Sequence, residues 1–245
     1  MTKLLVLYVF HIYNDRVKYF INNCIFKDSH VDFIIIANDK TNIFEFPDFV
    51  KVLFRDNIGY DFGGWSDALL TNNFYENYDK FIFVNSSVIG PFIPSYCKDK
   101  WTDIYINGLQ NNVKLFGSTI NTCNDPLKIS HVQSYIFAMD KITLQYLIDC
   151  EIFSMTNYAK TFLIAITEKE IKMSRKIIEN KWNIGSLLPY YKNVDFTFST
   201  KSPEDYNIKF LDDIMYNKFR YSLWNEYQLV FIKGNRNIDI RNVNV

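Results

Sequence analysis

The chain's densest chemistry lies in Arg55-Asp56-Asn57-Ile58-Gly59-Tyr60-Asp61-Phe62-Gly63-Gly64-Trp65-Ser66. Three of its eight glycines fall within six positions of that run. Glycine adopts backbone angles and close approaches that other residues resist. The cluster therefore reads as a tight strand-to-helix turn, or as backbone that a ligand touches. Arg55, Asn57 and Asp61 bring a guanidinium, an amide and a carboxylate to it, groups that can contact a phosphate, a ribose or a base. Asp39, after Ile36-Ala37-Asn38, either accepts from a base N–H or caps the following loop. Asn85-Ser86-Ser87 sets three small oxygen-bearing side chains before Val88-Ile89-Gly90-Pro91. These suit a water-supported divalent ion or a polar turn. His131, in Ser130-His131-Val132-Gln133-Ser134, is of the type that titrates near neutrality, although a lone histidine is more often structural. Glu168 and Glu170 sit two apart on a helical stretch whose default is a solvated face, so only one of them can point into a site.

Short apolar runs alternating with helix-length segments must position these groups, the pattern of an α/β fold with a mainly parallel sheet. Strands are expected over Lys3–Phe10, Asp32–Ala37, Val50–Phe54, Lys80–Asn85 and Val113–Thr119, with a helix over Asn14–Phe26. The helix after the glycine run is expected to start near Gly64. Further on, Gln133–Met139 reads as a strand leading into a helix over Lys141–Cys150, and Thr161–Trp182 as the longest helix. Tyr227–Lys233 is apolar enough to dock on the core. Asn38, Arg55 and Asn85 all end predicted strands, the edge at which open α/β sheets bind ligands.

Composition narrows the classes. The 27 basic and 27 acidic residues balance, without the basic footprint of a nucleic-acid binder. Cys24, Cys97, Cys123 and Cys150 are widely spaced, which suits reduced thiols in a cytoplasmic protein better than a disulfide or zinc framework. Leu4–Phe10 reads as a buried strand rather than a leader, and no apolar stretch reaches the ~20 residues of a membrane span. Phosphate loops, Rossmann fingerprints, nucleophile elbows, zinc-protease motifs and Asp-x-Asp are all missing.

The segments Arg55 to Trp65, Val84-Asn85-Ser86-Ser87-Val88-x-Gly90-Pro91, Phe116-Gly117-Ser118-Thr119, His131-x-Gln133-Ser134-Tyr135 and Glu170-x-x-Met173-Ser174 follow one another in a recognisable order. With Glu226-x-x-Leu229-Val230-Phe231-Ile232-Lys233 and Arg236, this order resembles the rhamnan-synthesis F-like glycosyltransferases. It is also similar to the sugar-transferase domain of large algal viruses, which would place the chain in host cytoplasm if it is viral. The resemblance implies a GT-A-type nucleotide-binding fold with a central, mainly parallel mixed sheet flanked by helices. It implies one domain over 1–245, with a nucleotide-sugar half (1–120) and an acceptor half ending in a docking segment (121–245). Tyr8, Phe10 and His11 would line the nucleotide pocket and Asp39 would meet the base. Arg55, Asn57, Gly59 and Asp61 would form the donor-gripping turn, with Lys233 at the diphosphate. Asn85 and Ser87 stand where relatives hold manganese or magnesium, although those relatives often carry an acid at the position of Ser86. Gln133 and Ser134 would face acceptor and sugar, and Glu170 or His131 would be the base.

The implied reaction moves a hexosyl group, rhamnose, glucose or similar, from a UDP- or dTDP-sugar to a glycan or glycoprotein hydroxyl. A sugar-nucleotide-making nucleotidyltransferase is disfavoured, because His11-Ile12-Tyr13-Asn14 replaces its glycine- and basic-rich loop. A non-catalytic sugar-nucleotide or glycan-binding module with a degenerate metal motif is the alternative from another class.

Overall fold

Buried, β-branched runs with no polar alternation make central strands of a parallel sheet covered on both faces. The computed structural model describes residues 2–236 and bears this out. The last nine residues of the expected 1–245 unit lie outside the described residues. In chain order the strands are β1 (Leu4–Phe10), β2 (Val31–Ala37), β3 (Lys51–Phe54), β4 (Lys80–Asn85), β5 (Val88–Ile89) and β6 (Val113–Gly117). They continue as β7 (Ile120–Asn121), β8 (His131–Val132), β9 (Ile136–Asp140), β10 (Asn183–Ser186) and β11 (Ile232–Lys233). Seven form one sheet in the order β10-β6-β9-β4-β1-β2-β3. All run parallel except β9, which is antiparallel to both neighbours. The α/β class with a mainly parallel mixed sheet is therefore as expected, and strands from both halves of the chain share it.

The strand order makes a crevice. The chain steps from β1 to β2 and β3, then crosses back to place β4 on the other side of β1. Helices entering on opposite sides of such a reversal leave space between their N-termini at the strands' C-terminal edge. Helix α1 (Asp15–Asn23) buries Val17, Phe20 and Ile21 on one face of the sheet, with Tyr8, Trp101 and Phe231. Helix α2 (Tyr60–Leu70) buries Phe62, Trp65 and Leu69 on the other, with Phe83, Phe137 and Phe153. Helix α3 (Trp101–Asn107) lies on the α1 face and α4 (Lys141–Asp149) on the α2 face.

Three expectations about elements are corrected. Helix α2 starts at Tyr60 rather than near Gly64. Gly59 takes the left-handed conformation (φ 77°) and caps it, while Gly63 lies inside the first turns, where a Cβ would stand 2.0 Å from the Ile58 carbonyl oxygen. The strand expected over Gln133–Met139 begins at Ile136, because His131–Val132 pairs with β7 instead. The helix expected over Thr161–Trp182 is a helical turn (α5, Phe162–Ile164), a π-helical stretch (Ala165–Ile171) and α6 (Lys172–Glu179). The chain closes with α7 (Asn217–Leu223), α8 (Glu226–Leu229) and β11, which pairs with β5. The docking expected of Tyr227–Lys233 is thus a short helix and a strand, with Phe231 fully buried.

Candidate active site

Asn38, at the tip of β2, joins the glycine run to the sheet. Its side-chain nitrogen donates to the Tyr60 carbonyl (3.1 Å) and to Asn57 Oδ1 (3.3 Å), and its Oδ1 accepts from Arg55 Nη1 (2.8 Å). Arg55 is nearly buried, and its other contacts are Asp67 through Nε (2.7 Å) and the Ile58 carbonyl through Nη2 (2.7 Å). Tyr158 completes the knot by donating from its hydroxyl to Asp67 Oδ1 (2.5 Å). Three directions of the Arg55 guanidinium are therefore spent on protein acceptors that shape the turn. Gly59 packs against Tyr158, where a Cβ would meet the ring at 2.7 Å.

This turn delivers Asp61 to the crevice. Asp61 Oδ2 accepts from the Asn85 amide (3.0 Å), and Asn85 Oδ1 accepts from the backbone N–H (3.0 Å) and the hydroxyl (2.5 Å) of Ser87. Desolvation pushes the Asp61 carboxyl up from 3.8 to about 6. The Asn85 hydrogen bond opposes that rise, nearby Glu170 adds to it, and Lys233 and His11 pull against it. Asp61 keeps partial solvent contact at the crevice mouth, so a half-buried carboxylate is held at an energetic disadvantage. Such perturbed acids concentrate where chemistry or recognition needs them.

The antiparallel direction of β9 brings the other wall. β9 starts at the edge where β4 ends, so the Asn85 N–H donates to the Tyr135 carbonyl (3.0 Å) and Ser134 lies beside the crevice. The Ser134 N–H donates to Glu170 Oε1 (2.8 Å), and the second Glu170 oxygen has no hydrogen-bond partner among the described residues. The π-helical stretch explains which acid faces inward. Lys169 is buried and donates to the Glu151 carbonyl (2.6 Å), Glu168 is exposed and paired with Lys172, and Glu170 turns toward Ser134. One extra residue in a turn re-aims side chains in this way, and such turns recur at functional sites.

The remaining predicted residues divide. Phe10 is buried, while exposed His11 contacts the Asn38 carbonyl through Nδ1 (2.9 Å). Asp39 caps its own loop, accepting from the Thr41 hydroxyl (2.6 Å) and N–H (2.8 Å), and these bonds hold its carboxyl below the usual range. Gln133 is buried and accepts from the Thr119 hydroxyl (2.7 Å). His131 is 4% exposed, with Nδ1 on the Ile129 carbonyl (2.6 Å). Lys233 on β11 reaches the Asn85–Ser87 turn, where the following Gly234 N–H donates to the Ser87 carbonyl (2.6 Å). Sequence reading missed Arg16. It lies in the first turn of α1 and donates from Nε to the Ser86 carbonyl (3.2 Å). A basic residue just after the Asn14 cap, at the end of the first strand, was the available signal.

A divalent cation asks for about six oxygen ligands. Asn85 Oδ1 is already doubly hydrogen-bonded and Asp61 is the carboxylate beside it. Among the described residues no group of three or more histidine, cysteine or acidic side chains could hold a metal. Among the described residues Asp61 is the one carboxylate bonded to the Asn85–Ser87 turn, a donor set too sparse to hold a resident divalent ion by itself.

The sequence profile of rhamnan synthesis protein F matches residues 34–223, and the chain belongs to that family. The virulence protein VirA of Vibrio anguillarum is 31% identical over 121 residues, covering 46% of this chain and 35% of that protein. The chain thus spans about a third of the length of the curated relatives it matches. Two solved structures are loosely similar. A cytidylyltransferase from Leptospira borgpetersenii has a TM-score of 0.39 at 12% identity, with 84% of each chain covered. A glycosyltransferase involved in glycosylation of the major capsid of PBCV-1 has a TM-score of 0.36 at 13% identity, covering 67% of this chain and 74% of that one. Among the described residues no helix is long and apolar enough to cross a membrane.

Proposed function

We propose that the chain transfers a hexosyl group from a nucleoside diphosphate sugar, UDP- or dTDP-linked, to a glycan hydroxyl. The observation that carries this reading is a pair of acids held at the adjoining ends of β4 and β9. Asp61 is fixed by Asn85 at the donor side, and Glu170 is fixed by Ser134 at the acceptor side. Family membership supports a sugar-transfer reading.

In this reading the donor lies over the ends of β1 and β4. Asp61, an acceptor, takes hydroxyls of the ribose or the transferred sugar, because a carboxylate repels phosphate. Arg55 and Asn57 act at one remove, holding the turn that aims Asp61. Asp39, close to His11 and with its second oxygen unpartnered among the described residues, faces the base. As the bond between the sugar C1 and the diphosphate oxygen breaks, the electron pair leaves with the nucleoside diphosphate. The acceptor oxygen bonds C1 and its proton passes to Glu170, whose second oxygen has no hydrogen-bond partner among the described residues. His131, buried and engaged with Ile129, supports β8 instead.

A thermal-shift panel of UDP-, dTDP- and GDP-sugars tests the donor half. A ligand at a hundred times its dissociation constant adds about 2.7 kcal/mol, or roughly 5–11 °C for a domain this size. A shift with at least one donor, followed by nucleoside diphosphate release on adding acceptor glycans, supports transfer. Binding without any release marks a binding module, and no shift with any nucleotide removes the reading.

A further inference from the structure

The Asn85–Ser87 turn is gripped from both faces of the sheet. Asp61 holds the Asn85 side chain from α2, and Arg16 holds the Ser86 carbonyl from α1. Two cations, Arg16 and Lys233, stand beside this turn. Arg16 is half-buried, and among the described residues its two terminal nitrogens have no hydrogen-bond partner. Lys233 lies opposite Val88 in the β11–β5 pair, and its ammonium makes no hydrogen bond or ion pair among the described residues. The strand passes close to Arg16, since a Cβ on Gly234 would stand 3.3 Å from Arg16 Cδ. Tyr8 Oη is buried without a hydrogen-bond partner among the described residues. It also sits within electrostatic reach of both Arg16 and Asp61. An orphaned buried hydroxyl is uncommon and calls for a partner.

We propose that Arg16 and Lys233, with the Tyr8 hydroxyl as a further donor, hold the diphosphate of the donor in place of a divalent cation. The inference rests on the glycosyl-transfer reading and deepens it. The donor set at Asn85–Ser87 is too sparse to hold a metal by itself, yet the leaving diphosphate still needs its developing charge balanced where it forms. Arg16, anchored on the Ser86 carbonyl, and Lys233, on the strand paired with β5, supply that balance. The C1–oxygen electron pair departs onto a phosphate oxygen beside Arg16 and Lys233, while the acceptor proton goes to Glu170.

Calorimetric titration of the full chain with UDP, dTDP and GDP, in chelator and then in manganese, tests this. One nucleotide is expected to bind in chelator within about threefold of its affinity in manganese, a difference under ~0.7 kcal/mol. Arg16→Gln and Lys233→Met are each expected to weaken that diphosphate at least about tenfold, the loss of a charge-assisted contact. The matching nucleoside should keep its affinity. The β11 pairing runs through the backbone, so Lys233→Met carries the test alone if Arg16→Gln fails to fold. Binding that requires manganese overturns the proposal and leaves the transferase reading standing. Chelator-resistant binding that survives both substitutions overturns it equally. No diphosphate binding under either condition removes the donor reading along with it.

Discussion

Replacing Asp61 with Asn should stabilise the protein at neutral pH while removing its function. Burial raises the Asp61 carboxyl from 3.8 to about 6, so between those values the folded chain keeps a proton that the unfolded chain has lost. Stability falls with rising pH wherever the native state binds more protons. The favourable contribution is therefore complete below about pH 4, declines as pH rises, and is gone above about pH 6. At 1.36 kcal/mol per pH unit the full span is worth about 3 kcal/mol. Solvent contact at the crevice mouth screens part of it, leaving about 1–3 kcal/mol. Asn keeps an oxygen for the Asn85 amide and never pays the charge's desolvation. Asp61→Asn should melt roughly 2–12 °C above wild type at pH 7.5, at 2–4 °C per kcal/mol. Calorimetric melting of both proteins from pH 4.5 to 8 reads the difference, and the gap should close toward the acid end. A variant that is less stable at pH 7.5, or a gap constant across the range, would refute the reasoning.

Other substitutions probe the supports of the site. Gly63→Ala drives a Cβ to 2.0 Å from the Ile58 carbonyl oxygen. It should cost at least about 1–3 kcal/mol as a drop in the urea midpoint, with much soluble protein lost. Arg55→Met leaves Asp67 charged beside Tyr158 and frees the Ile58 carbonyl. That should cost about 3–5 kcal/mol by chemical denaturation, whereas a loss confined to donor affinity would restore Arg55 as a ligand contact. His131→Asn should change stability more than transfer rate, because the imidazole is buried. A hundredfold or greater rate loss with unchanged melting would make His131 the base after all.

The strand tips were legible because β1, β2 and β4 close on apolar runs that give way to His11, Asn38 and Asn85, and both observation and expectation place their ends within a residue. The start of α2 was not legible. Gly63 and Gly64 look like helix breakers, but they sit inside the helix because Ile58 and Asn38 crowd those two positions. Arg55 illustrates a second limit: its charge and its place at a strand end suggested a phosphate, and only tertiary packing reveals Asp67 and Asn38 as its partners. The choice between Glu168 and Glu170 depended on a π-helical stretch that no 3.6-residue pattern announces. Arg16 went unread because its role depends on Ser86, 70 positions away.

The central claim is that the crevice between β1 and β4 binds a nucleoside diphosphate sugar and that Glu170 takes the acceptor proton there. Release of nucleoside diphosphate by wild type and Glu170→Gln, measured beside donor affinity for both, tests it most directly. The account predicts turnover of at least one donor by wild type. It also predicts a loss of about 10²–10⁴-fold in Glu170→Gln, with donor affinity and melting temperature retained. Wild-type turnover in the Gln variant would contradict it.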